Sequence, residues 1–335
     1  MRKRPAVNLL RTILSCIALV GLATGCDDNS QQNGVLVRKF RVGLGPWIGF
    51  GPLYLAQEKG FFKEAGLEVE LTVLTGIAER NSALKSGRID ALAAPVDYFV
   101  LSAGNHLETT IVMAIDESVG GDGIVARNDI ATIRDLRGKR VAFQRGLPSE
   151  FFLRALLQEH GISIDELQTF DMETDQAGAA FISGNIDAAG VWEPWLTRAK
   201  EDGKGHVLAS TKEFPNLIVD CLAFNQQRLA DDKAGAQALI AALFKAIDYW
   251  KQNPDDANAI MAPHFQVDVK KYAAILTGAR FCDLARNRQF FGSAGEPGPI
   301  FGVAQRASEV WKLAGVIDAP VAPKAIISAD ILPAP

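Results

Sequence analysis

Leu67-Glu-Val-Glu-Leu-Thr-Val73 alternates apolar and polar residues with period two, which predicts a strand with one buried face. Upstream, Arg41 to Leu44 ends a short apolar run, and Gly45, Pro46, Gly49 and Gly51 then interrupt regular structure. Pro52 suits a first helical turn, where its missing N–H costs nothing. Leu53 to Lys59 are mostly good helix formers, and Gly60 is placed to stop the helix. Trp47 and Phe50 therefore fall in a loop between a strand's carboxyl end and a helix N-terminus. Ligands bind at such positions in open α/β sheets, whereas large rings otherwise seal the core, and both readings stand for these two. Residues 79–86 read as a helix stopped by Gly87, and residues 89–94 and 110–115 as buried strands. Alternating strands and helices favour α/β architecture with parallel sheets. Beyond residues 217–224 the pattern turns helical. Residues 231–252 carry Leu239, Leu243, Ile247 and Trp250 at helical spacing, and 257–262, 270–277 and 302–313 also read as helices.

The first half of the chain is echoed in the second. Lys39-Phe-Arg-Val42 is matched by Gly138-Lys-Arg-Val141-Ala-Phe143, Glu64-Ala-Gly66 by Glu159-His-Gly161, and Gly87-Arg-Ile-Asp90-Ala91 by Gly184-Asn-Ile-Asp187-Ala188. The offsets are 99 (141 − 42), 95 (161 − 66) and 97 (184 − 87) residues. Near-constant offsets in the same order predict two lobes of similar topology. One crossing between them is placed at residues 116–123, rich in Gly and Asp, and the other near residues 217–224. The expected division is residues 38–118 with 222–335 for one lobe, the C-terminal helices bracing it, and 119–221 for the other.

The N-terminus changes the picture of where the protein works. Arg2, Lys3, Arg4 and Arg11 form a basic segment, and residues 12–22 an apolar one too short to span a bilayer. The run ends Leu22-Ala-Thr-Gly-Cys26, which resembles a bacterial lipoprotein signal over residues 1–25, although Leu22 lies one place further from the Cys than usual. Such a signal implies cleavage before Cys26 and lipidation of its thiol; an ordinary secretory signal cut nearby is the alternative. Asp27 then points to retention at the inner membrane of a Gram-negative cell, and residues 26–37 read as a polar tether. Losing four leader cations takes the formal charge from −4 to about −8. An acidic chain without a basic stripe does not suit nucleic acid. Cys221 and Cys282 remain as thiols, expected buried and unpaired, and neither they nor the four His show metal-ligand spacing.

Candidate binding residues follow from the strand ends. Trp47 leaves the first strand. Thr75 and Gly76 precede a helix, where backbone N–H groups suit an anion or polar edge, although Thr75 also reads as a cap. Asp97 follows a small strand and reads as a contact or as an N-cap. Arg145 and Ser149 precede a second-half helix: Arg145 suits an anion or solvent, and Ser149 suits a cap. Trp192 and Trp195 flank Glu193-Pro194 after another strand, and read either as one ring on the ligand with its companion packed inside or as both packed in the core. Asp116, Asp122 and Asp220 lie near the crossings. Together with Asp97 and Glu193 they outnumber Arg145, which inclines the site toward an amine, amidine, urea-like or aminopyrimidine ligand. The bland reading gives these carboxylates to caps and backbone N–H groups.

Gly45-Pro-Trp-Ile-Gly-Phe-Gly-Pro-Leu-Tyr-Leu-Ala-Gln-Glu-Lys-Gly-Phe-Phe62, Lys85-Ser-Gly-Arg-Ile-Asp-Ala91, Asp135-Leu-Arg-Gly-Lys-Arg-Val141 and Trp192-Glu-Pro194, in this order, resemble solute-binding proteins of bacterial ABC importers, in the branch handling nitrate, sulfonates, taurine and the thiamine pyrimidine precursor. The resemblance covers residues 35 to about 230. It implies a two-lobe Venus-flytrap fold of the type II periplasmic class, each lobe a mainly parallel sheet flanked by helices. It further implies a monomeric periplasmic protein that hands a small solute to a membrane permease with its ATPase, with no cofactor, metal or catalytic residue. An exported sensor is a second reading. An enzyme such as the fungal thiamine pyrimidine synthase is a third, but the Cys-rich metal motif of that enzyme is missing here, and no His lies in a motif beside a Ser or Cys nucleophile.

Overall fold

Residues 37–293 and 295–333 are described by the computed structural model of the protein. The signal, Cys26 and nearly all of the tether lie outside the described residues. The described residues form one compact unit. In β1 (Arg38–Leu44) Phe40, Val42, Gly43 and Leu44 are buried. β2 (Leu67–Val73) and β3 (Ala91–Pro95) pair in parallel on either side of it, with β2 the half-exposed edge that its alternation predicts. β4 (Thr109–Ser118) then leads across residues 119–121 into a second sheet. There β6 (Arg140–Phe143) is flanked in parallel by β7 (Gln168–Asp171) and β8 (Ala188–Trp192). β5 (Asp122–Arg127) lies antiparallel to β8, and β9 (Gly205–Ser210) antiparallel to β5. The chain returns through residues 211–218 to β10 (Val219–Asn225), which lies antiparallel between β3 and β4. β11 (Ala279–Phe281) closes the far edge against β4.

Each sheet is thus mixed, not mainly parallel: a parallel trio, β2-β1-β3 or β7-β6-β8, followed by antiparallel strands. The cause is the double crossing. β5 and β10 each enter a sheet from the end where its parallel strands finish, so each must run against its neighbours. Because β10 pairs in the first sheet from Val219, the second crossing ends ahead of the boundary drawn at 221/222.

The repeated Gly-x-Ile-Asp-Ala motifs do the same job in both lobes. Gly87 and Gly184 take positive φ (66° and 83°), a left-handed turn open to glycine. The Asp three residues on then holds an Arg of the first strand. Asp90 accepts from the Arg41 backbone N–H at 2.8 Å and from its guanidinium at 2.8 and 3.1 Å. Asp187 holds Arg140 through the same three bonds at 2.9, 2.8 and 3.1 Å.

Helices Lys233–Gln252, Pro254–Met261, Val269–Ile275 and Pro299–Leu313 match the predicted helical segments. The last packs on helix Val96–Gly104 of the first lobe and also reaches the second, where Trp311 lies 5.7 Å from Phe151 between ring centroids. β11 and helix Leu284–Phe291 were not anticipated. Cys221, on β10, and Cys282, just after β11, are buried free thiols on opposite sides of β4.

Candidate functional site

Strands β1, β3, β4, β6 and β8 end, and β5 and β10 begin, on the cleft between the lobes. Among the residues lining a small inner cavity there, of about 30 Å³, are Trp47, Arg80, Asp122, Trp192 and Asp220. That volume suits roughly one water, so a larger solute requires the lobes to part. Trp47 is held by its indole N–H, which donates to Asp116 at 3.0 Å. Gly49 makes that bond possible, because a Cβ there would fall on both partners. A Cβ on Gly121, in the first crossing, would strike the Trp47 ring. Trp192 ends β8 directly opposite Asp122 of β5. Trp195 instead packs over Gly178, half-exposed, and donates to Asp175 at 2.6 Å, away from this cavity.

Charge is concentrated around this cavity. Asp220 of β10 sits opposite Asp116 of β4 in the ladder, and like charges so placed repel. Asp97 opens the helix Val96–Gly104; it is 2% exposed, and neither carboxylate oxygen has a hydrogen-bond partner. It is therefore not the N-cap that its position suggests. Burial, followed by the charge of Asp122, pushes Asp97 up to about 8. Burial also pushes Asp122 up to about 7, with Glu193 adding to the shift. Asp116 and Asp220 are raised well above the usual carboxylate range, first by burial; Trp47 restrains Asp116, whereas neighbouring carboxylates raise Asp220 further. The cation among them is Arg80, 4% exposed, whose Nε donates to the Leu74 carbonyl at 3.0 Å. Burial lowers its pKa, and Asp220 and Asp97 oppose that shift. Gly45 admits the guanidinium: a Cβ there would sit 2.6 Å from Arg80 Nη2.

Other sequence candidates lie elsewhere. Gly76 and Arg145 line an outer groove of about 690 Å³ at the mouth of the cleft, between helix Ile77–Lys85 and the second lobe. Thr75 caps nothing; its carbonyl accepts from Gln144 Nε2 at 3.2 Å across the cleft. Gly146 with φ of 71° lets Ile77 approach there, within 2.7 Å of where a Cβ would stand. Arg145 is largely exposed, 3.8 Å from Asp171, and does not join the inner carboxylates. Ser149 is buried, and its hydroxyl accepts from the Gln144 N–H at 3.0 Å inside the second lobe. Glu193 accepts from the Thr197 N–H and hydroxyl at 3.1 and 2.9 Å, which gives its carboxylate to the start of helix Trp195–Glu201. Sequence reasoning missed Arg80. The available signal was periodicity: Arg80 follows Ile77 by three and precedes Leu84 by four, on the stripe that faces the core.

The chain resembles a putative binding protein of Brucella abortus, 25% identical over 301 residues covering 87% of this chain and 90% of that protein. It also resembles the taurine-binding periplasmic protein of Escherichia coli, 25% identical over 220 residues, 62% of this chain and 68% of that one. In structure it is similar to the alkanesulfonate-binding protein SsuA from Xanthomonas axonopodis pv. citri bound to MOPS. The TM-score is 0.74 at 17% identity, covering 88% of this chain and 99% of that chain, and this likeness shows the two-lobe periplasmic-binding-protein fold. Residues 47–257, which run from Trp47 through both lobes into the helix Pro254–Met261, match the NMT1/THI5 like family. The chain is a member of the NMT1/THI5-like family.

Proposed function

We propose that the chain is the solute-binding subunit of an ABC-type importer, which captures a small polar solute between its lobes and delivers it to a membrane permease with its ATPase. The observation that carries this reading is the convergence of both sheets' strand ends on one aromatic-walled cavity, closed by contacts that only the approached lobes make. Trp47 and Trp192 form its walls, Arg80, Asp122 and Asp220 its polar lining, Asp97 and Asp116 the buried acids next to Asp220, and Thr75, Gly76 and Arg145 its mouth. Ser149 and Glu193 support the frame. Solute adds contacts available in the closed arrangement and so shifts the lobes toward it. The protein works in the periplasm as a monomer tethered through lipidated Cys26, and it releases its solute unchanged.

The names of the relatives put taurine and alkanesulfonates in the first test. Thermal melts with sulfonates, nitrate, urea, amines and aminopyrimidines are the direct measurement. A true solute at about 100 times its Kd stabilises the protein by roughly 2.7 kcal/mol. Turnover of any compound by the protein alone would sink the carrier reading. A Cys26→Ser chain that stays membrane-bound would sink the anchor.

A further inference from the structure

We infer that the inner cavity takes a small organic cation, an ammonium or amidinium with N–H groups to donate, held by carboxylates from both lobes. The inference rests on the solute-binding reading and adds the charge of the solute.

Asp97, Asp116 and Asp220 come from the first lobe and Asp122 from the second. All four are at most 4% exposed. Arg80 is the one cationic side chain among the described residues lining the cavity, where it is joined by Asp122 of the second lobe and Asp220 of the first, with Asp97 and Asp116 near Asp220. The neighbouring Glu117 shows how this fold treats a buried carboxylate of purely structural use. It is fully buried and is met by Arg286 at 2.8 and 2.9 Å and by Arg280 at 2.8 Å. Glu193, likewise buried, is met by Thr197. The Asp97 oxygens have no such partners although they are wholly enclosed, and a buried carboxyl left so is costly. Asp220 lies on the cavity wall facing Asp116 across the ladder, an arrangement that a counter-charge between the lobes would relieve.

A sulfonate or nitrate entering here meets one guanidinium and several carboxyl groups, and its charge keeps them protonated. A cation does the reverse. It forms charge-assisted hydrogen bonds to the carboxylates, whose protons leave to the buffer. Because the carboxyls lie on both sheets, these bonds also tie the lobes together. Among the described residues no acidic or histidine group is arranged to hold a metal ion, which favours an organic cation.

The test uses the full chain with two sets of probes: methylguanidine, putrescine and acetamidine against taurine, methanesulfonate and nitrate. The expected result is a raised melting temperature with members of the first set only. Titration calorimetry in buffers of different ionisation enthalpy should show proton release near neutral pH. Affinity should fall as pH drops, because protons compete for Asp97, Asp122, Asp116 and Asp220, with Glu193, Glu117 and Arg80 as the surrounding charges. Asp220→Asn and Asp122→Asn should each weaken the bound cation at least tenfold; where one fails to fold, the wild-type probe sets still decide. Stabilisation by the anions alone overturns the charge assignment while the solute-binding reading stands. A melt moved by neither set overturns both.

Discussion

Asp97 shows how much one side chain can depend on where it is folded. In sequence it is a polar residue opening a helix, an ordinary cap. In the structure Pro95 precedes its helix with no side-chain cap, and the Asp97 carboxyl lies in the interior with no partner. Its pKa is raised, so the folded protein holds this proton more tightly than the unfolded chain does. The stability it contributes is therefore complete below the ordinary carboxylate range and is lost as pH rises through about 8. Asp97→Asn removes the charge with little change of shape. Its melting temperature should match wild type near about pH 3 and exceed it by more than about 2 °C near about pH 9. Melting curves that stay parallel across that range would remove Asp97 as the source. Arg80 makes the complementary point: a charged residue within an apolar stripe looks like a break in the pattern, yet its position in the stripe is what buries it in the cleft.

At the scale of elements, the repeated motifs carry stability. Asp90 and Asp187 each tie the strand that they precede to Arg41 or Arg140 of the neighbouring parallel strand. Hydrogen bonding to Arg140 holds Asp187 down at about 2, so its contribution is present above the usual carboxylate value and is lost as pH falls through about 2. Asp90→Ala and Asp187→Ala should each cost about 2 kcal/mol, read by denaturant unfolding, with the two losses nearly additive across the lobes. The repeat, the β2 alternation and the long C-terminal helices were legible because each follows from local periodicity or turn chemistry. Strand β11 has three residues, too few to show a period, and the antiparallel partners of β3 and β8 are set by crossings rather than by any local pattern.

For the whole molecule, closure depends on glycines where the lobes meet. A Cβ at Gly121 would push into Trp47 and stand 2.9 Å from the Gly278 carbonyl oxygen. Gly121→Ala should therefore hold the lobes apart, seen as a larger radius of gyration in solution scattering and solute affinity reduced at least tenfold, about 1.4 kcal/mol. Unchanged scattering and affinity would rule out this contact as part of closure.

What the sequence determined by itself was the two-lobe α/β plan and the loops from which a site would be built, because hydrophobic period, glycine turns and a repeat of nearly constant offset are all short-range signals. Trp47, Trp192 and the excess of acid were also visible there. Tertiary structure alone decided how those candidates divide: Trp47, Asp122, Trp192 and Asp220 on the inner cavity, Asp97 and Asp116 buried near Asp220, Thr75, Gly76 and Arg145 at the mouth, and Ser149 and Glu193 in the frame. It also left Arg145 largely in solvent and brought Arg80 to the cavity as its buried cation. The reason is physical: a side chain's charge and partners depend on burial and on groups brought from distant strands, and two sheets closing on each other create an environment that no single stretch of chain contains.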